Sequence, residues 1–200
     1  MELKKEENTL KEQFKSFQFF LDNLYIKDLN SIIIGDNRDY NKMIKSWINP
    51  FKKIKAQLLF RLSRDGEGKS KFHELCDNIS PTLIIYNIES GNKIGIYTPL
   101  SWDKESEFKD DMETFMFNLK RIKKHKKICR QSSIYCRNDH GPYTKNFGCD
   151  SSCRSLREIW VKTGIDSYFE SGMDILPGVY SSWQKLRVNE LKVFKIIILD

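Results

Sequence analysis

The sequence predicts an α+β domain in which two antiparallel β-sheets pack together with helices at their periphery, preceded by an N-terminal helix. Three observations lead there. Short β-branched and aromatic runs recur along the chain, separated by Gly, Asp, Asn and Ser clusters, and only two or three windows carry helical periodicity. Residues 82–88 and 93–98 flank Glu89-Ser90-Gly91-Asn92, which spells a hairpin. Residues 191–199 alternate and then turn wholly apolar, the pattern of a central strand buried on both faces. Strands joined by turns, with few helices between them, favour antiparallel pairing.

In chain order, residues 1–29 are predicted as a helix. Leu3, Leu10, Phe17 and Leu24 stand seven apart with Phe14 and Leu21 between them, an a/d pattern that Glu7 interrupts. Two uses fit this stripe: an amphipathic helix lying on the domain, or a short coiled-coil seam for self-association through residues 3–24. Residues 30–200 make the main domain. Ser31-Ile32-Ile33-Ile34 is a short strand closed by Gly35-Asp36-Asn37. Ile44 and Trp47 share a helix face that stops near Pro50, and Leu58-Leu59-Phe60 is a strand. Residues 63–68 read as a loop. Ser70 is placed as the N-cap of a helix with Phe72, Leu75 and Cys76 on one face, ended by Ser80-Pro81. Beyond the hairpin, residues 114–119, 132–136 and 158–162 are strands, residues 120–130 a solvated hairpin or loop end, and residues 137–156 irregular.

Composition bounds the function. The chain has 200 residues, 40% hydrophobic and 30% charged, enough to bury a core without disulfides or metal. A formal charge of +7 favours encounter with acidic surfaces but selects none. No apolar run reaches membrane-span length, and the charged start Met1-Glu2-Leu3-Lys4-Lys5 lacks a secretory h-region. The expected location is cytoplasmic, with the five cysteines as thiols. The basic run Lys120 to Lys127 lacks the interleaved aromatics of base-stacking platforms, so no nucleic-acid partner is expected. Gly66-Glu67-Gly68-Lys69-Ser70 ends like a phosphate-binding loop but lacks its first glycine.

A denser signal spans residues 58–102. Leu58-Leu59-Phe60-Arg61 is followed by Ser63-Arg64-Asp65-Gly66 and by Phe72-His73-Glu74-Leu75-Cys76-Asp77-Asn78. Pro81-Thr82-Leu83, Gly95-Ile96-Tyr97-Thr98 and Ser101-Trp102 continue it. Weaker matches follow at Phe115-Met116-Phe117-Asn118-Leu119, Gly141-Pro142, Phe147-Gly148 and residues 188–194. In order and spacing this resembles the TLDc domain family, which includes the oxidation resistance proteins. Ile96 departs from it, standing where the family has a second glycine. The resemblance implies the two-sheet α+β fold over residues 30–200, no agreed catalytic residues and no cofactor. It also implies protection against oxidative damage and binding to the vacuolar proton-pumping ATPase. It marks Arg64, Asp65, Gly66, Gly95, Tyr97, Thr98, Ser101 and Trp102 as binding or fold-defining residues. The expected activity is non-catalytic.

Two sets of residues offer chemistry beside that reading. His73 and Cys76 stand three apart on a helix, the reach of a base and a thiol nucleophile in a redox-active protein. Cys129, Cys136, His140, Cys149 and Cys153 are the one set with metal-like residue types, and zinc would need four of them to converge. Against each stands a plain alternative: Cys76 as core, and the later cysteines as unpaired thiols in a surface segment.

Overall fold

The structure is a computed structural model that describes residues 11, 13, 27–28, 38–128, 132–145, 147–162, 176 and 183–199. The helix expected over residues 1–29 falls outside them, apart from Lys11 and Gln13, which are helical and exposed. Its far end is corrected. Lys27–Asp28 is a strand, β1, paired antiparallel with residues 55–56, where a free sheet edge offers backbone partners that a last helical turn lacks. The strand expected at residues 31–34 also lies outside the described residues.

Helix α1 spans Arg38–Ile48 and ends before Pro50 as expected. Strand β2 runs over Lys53–Arg61, then come the one-turn helix α2 at Leu62–Asp65 and α3 at Lys69–Cys76. Two expectations change here. Residues 62–65 are helical rather than loop, and Gly68, not Ser70, is the N-cap residue of α3. The hairpin is β3 (Thr82–Ile88) and β4 (Lys93–Thr98), with Gly91 at φ 74 in its turn. Then follow β5 (Glu107–Lys109), β6 (Phe115–Asn118), β7 (Lys123–Lys126), β8 (Ile134–Cys136), β9 (Phe147–Gly148), β10 (Glu158–Lys162) and β11 (Trp183–Leu199).

The fold is mostly β, antiparallel, with few helices. Among the described residues, nine strands form one hydrogen-bonded network in the order β1-β2-β11-β3-β4-β6-β7, with β10 joined to β11 and β9 to β10. β5 and β8 make a separate two-stranded ribbon. In place of the expected pair of packed sheets, the described residues form one curled sheet whose longest strand serves two neighbourhoods. Residues 183–187 of β11 pair with β10, while its remainder lies between β2 and β3.

Both faces of the central sheet are covered. On one, Leu83, Ile85, Phe117, Phe194 and Ile196 meet Ile44 and Trp47 of α1. On the other, Ile84, Tyr86, Val193 and Phe60 meet Phe72, Trp102, Phe147 and Leu156. Period-2 alternation distributes side chains between these cores, and two irregularities reset it. Val193 pairs with Phe60 and Phe194 with Leu58, so Leu59 is an extra residue on β2. Ile54, Ala56 and Leu58 therefore face α1, whereas Phe60 and Leu62 face α3. Asn189 is likewise skipped between Val188 and Glu190 on β11.

Candidate functional site

The Leu59 bulge explains the Arg64-Asp65 pair. An extra residue leaves its backbone groups out of the ladder, and a buried carbonyl needs a donor. Arg64 supplies it: Nη2 donates to the Leu59 carbonyl at 2.9 Å. Asp65 holds that guanidinium, accepting from Nε at 2.8 Å and from Nη2 at 2.9 Å. Its carboxylate also accepts the Arg61 N–H at 2.7 Å. The two side chains are only 8% and 7% exposed, which makes this a buried ion pair with its hydrogen bonds filled. Gly66 then ends the turn at φ 87, a left-handed value that suits glycine. The residues singled out in the sequence come together here, but as scaffold.

Glu190, which sequence reasoning left among strand residues, is the outer half of the same knot. It accepts from the Ser63 hydroxyl at 2.6 Å, the Ser63 N–H at 3.1 Å and Arg61 Nε at 3.3 Å. Its separation from Ser63 by 127 positions concealed the link.

Helix α3 staples down the irregular segment 137–156. Lys69 Nζ donates to the carbonyls of Asp139 at 2.8 Å and Asp150 at 2.7 Å. His73 Nε2 faces the carbonyls of Arg137 at 2.9 Å and His140 at 3.0 Å, so that nitrogen carries a proton. His73 Nδ1 lies 2.8 Å from Asp77 Oδ1. The Leu156 N–H reaches the Glu67 carbonyl at 2.9 Å, and the Tyr86 hydroxyl reaches that of Pro142 at 2.9 Å. One ring nitrogen of His73 therefore serves the loop and the other Asp77, and neither serves Cys76. The Cys76 thiol is buried, and burial pushes its pKa well above the thiol range. A thiolate nucleophile needs the opposite environment.

The cysteine and histidine set does not converge. Among the described residues, three ligand atoms approach one another only at Asp103, Glu105 and Glu107. There Asp103 already binds Lys109. Cys136 faces the Ser101 carbonyl at 3.9 Å, His140 Nδ1 faces Asp139 at 2.8 Å, and Cys149 faces the Ser155 carbonyl at 3.6 Å. The hydrogen bond with Cys153, together with burial, raises the Cys149 thiol. Cys129 lies outside the described residues. The zinc reading of residues 129–153 is thus corrected for its described members: Cys136 faces a backbone carbonyl, His140 faces the Asp139 carboxylate, and Cys149 and Cys153 bond each other, so no four of them converge on one point.

The second group of singled-out residues also builds the core. At Gly95 a Cβ would stand 2.2 Å from Phe117 Cζ and 2.3 Å from the Ile84 carbonyl oxygen, so only glycine fits. Ile96, the departure from the family pattern, is fully buried beside Ile84 and Met116. Tyr97 stacks on Phe115 with centroids 5.1 Å apart, and burial pushes its hydroxyl up to about 12. Both line a groove of about 430 Å³ with Trp47, Glu113, Lys124 and Ile198. Thr98 accepts from Thr114 at 2.9 Å and from the Leu100 N–H at 3.1 Å. The Ser101 carbonyl accepts from Lys109 at 3.0 Å. Trp102 donates its indole N–H to Thr82 at 3.0 Å, and its carbonyl accepts the Asn78 N–H at 2.8 Å.

The deciding comparison follows from this scaffold. The model of the TLDc domain family matches residues 28–196, well over half of the chain. The chain belongs to the TLDc domain family. No curated protein matches it. As a TLDc domain, it spends its most recognisable side chains on a bulge clamp, a loop staple and a close sheet contact. Among the described residues, no helix is long and apolar enough to cross a membrane.

Proposed function

We propose that this TLDc domain is a non-catalytic, cytoplasmic interaction module. It confers oxidative-stress resistance by binding the vacuolar proton-pumping ATPase, or a similar complex, and shifting its assembly. One observation supports the reading above others. The polar signature residues Arg64, Asp65, His73 and Trp102 are bonded into the scaffold, so recognition is left to the surface that scaffold displays. Binding acts by population shift, and the domain must prefer one state of its target. Residues 3–24 add self-association as an independent element of this proposal.

The test is affinity capture from cytosol and membranes with the tagged full chain, read by mass spectrometry. Soluble proton-ATPase subunits should be enriched by wild type and lost with Gly66→Val, which forces a β-branched residue into the φ 87 position. Absence of those subunits from the capture by a chain shown to be folded would refute the partner.

A further inference from the structure

The β6–β7 connection carries a residue type unusual for its backbone conformation. Ile122 sits at its tip with φ 54, in the left-handed region where a β-branched side chain is strained and where hairpins of this length ordinarily place Gly or Asn. Its side chain is 65% exposed, so burial does not offset the strain. The turn itself is firmly held. The Ile122 N–H donates to the Leu119 carbonyl at 3.1 Å and the Arg121 N–H to Asn118 Oδ1 at 3.1 Å, above a fully buried Leu119. A rigid turn therefore presents one isoleucine outward. Exposed Lys120 and Arg121 and half-buried Lys123 surround it. The Leu119 N–H bonds the Lys93 carbonyl, which brings Lys93 to the same end of the sheet. Glu89 and Arg187 meet in the neighbouring turn through a backbone bond of 3.0 Å.

Strain kept at an exposed position points to use at that position. Cations flanking a single protruding aliphatic side chain match a surface that is anionic at its face and apolar just beneath it. We propose that this turn is a membrane-surface contact. In it Lys93, Lys120, Arg121 and Lys123 engage anionic lipid headgroups while Ile122 enters the interfacial layer. An acidic protein would satisfy the cations but would need its own pocket for Ile122; a bilayer supplies that environment everywhere. This contact is independent of the ATPase reading, because it needs lipid alone.

The test is co-sedimentation of the full chain with vesicles of phosphatidylcholine alone and of equal parts phosphatidylcholine and phosphatidylserine. Wild type should sediment with the anionic vesicles only, and less so as salt is raised. Ile122→Gly removes both the strain and the anchor. Its melting temperature should hold or rise, while its vesicle affinity should fall about ten-fold. Lys120→Gln and Arg121→Gln should each weaken binding about five-fold, as expected for roughly one headgroup contact apiece. Equal sedimentation with neutral vesicles, none with anionic ones, or wild-type affinity in Ile122→Gly or in both charge variants would overturn the proposal.

Discussion

Replacing Asp65 with alanine tests the account of the family's signature turn. The carboxylate takes three hydrogen bonds of 2.7–2.9 Å, two of them from a guanidinium that is itself less than a tenth exposed. Surface ion pairs typically contribute about 0–1 kcal/mol, which would make the change nearly silent. A buried pair that loses one partner leaves an uncompensated charge and costs about 3–5 kcal/mol. Burial decides for the second figure, and the loosened clamp at the Leu59 carbonyl adds to it. For a domain of this size, each kcal/mol moves the melting temperature by roughly 2–4 °C, so the drop should be about 6–20 °C. Urea unfolding at neutral pH measures it directly. The exposed Lys71–Glu74 pair is the internal control, and Glu74→Ala should change stability by less than about 1 kcal/mol. Arg64→Ala combined with Asp65→Ala should cost less than the sum of the single changes, because the residues act as one unit. An Asp65→Ala protein within about 1 kcal/mol of wild type, with an unchanged urea dependence, would refute the bulge-clamp reasoning.

Other substitutions probe the remaining links. Gly95→Ala drives a methyl against the Ile84 carbonyl, which cannot move without the sheet, and should cost about 1–3 kcal/mol in chemical denaturation. Trp102→Phe removes the donor to buried Thr82 and should cost about 1–3 kcal/mol by the same assay. Cys76 should react with a maleimide only as fast as the domain opens, since burial keeps it protonated and covered; fast labelling of the native chain would revive the thiol chemistry. Glu158 is held below its ordinary 4.5 by the Arg154 N–H and by Lys185. Its contribution is complete above 4.5 and is lost as pH falls through the depressed value, so Glu158→Gln should flatten the acid side of the stability profile.

Much of the β framework was legible because its signals are local. Gly91 in the hairpin turn and the paired runs of β3 and β4 each report a conformation or burial that neighbouring residues impose, whereas the apolar end of β11, read as buried on both faces, leaves Ile198 exposed. The TLDc signature was legible for the same reason, since its spacing is written along one stretch. The roles within it were not. Ser63-Arg64-Asp65-Gly66 reads as turn chemistry and Lys120 to Lys127 as a solvated charge run. The structure instead shows a helical turn clamping a bulge, and a strand whose Lys124 donates to the Trp47 carbonyl at 2.7 Å. The metal-like cysteines misled because residue type and spacing carry no information about where side chains point.

By itself, then, the sequence determined the antiparallel β character, the hairpin, the central place of the last strand and membership of the family. Only the tertiary structure decided which core each alternating residue enters and what each polar residue serves. The reason is that period 2 assigns sides only relative to a neighbour. The extra residues Leu59 and Asn189 reset that assignment, and nothing adjacent to them marks the shift. The partners that satisfy the result, Glu190 for Ser63 and the carbonyls of Arg137 and His140 for His73, lie 127, 64 and 67 positions away. Contacts closed over such distances exist only once the sheet has folded, and so no local pattern encodes them.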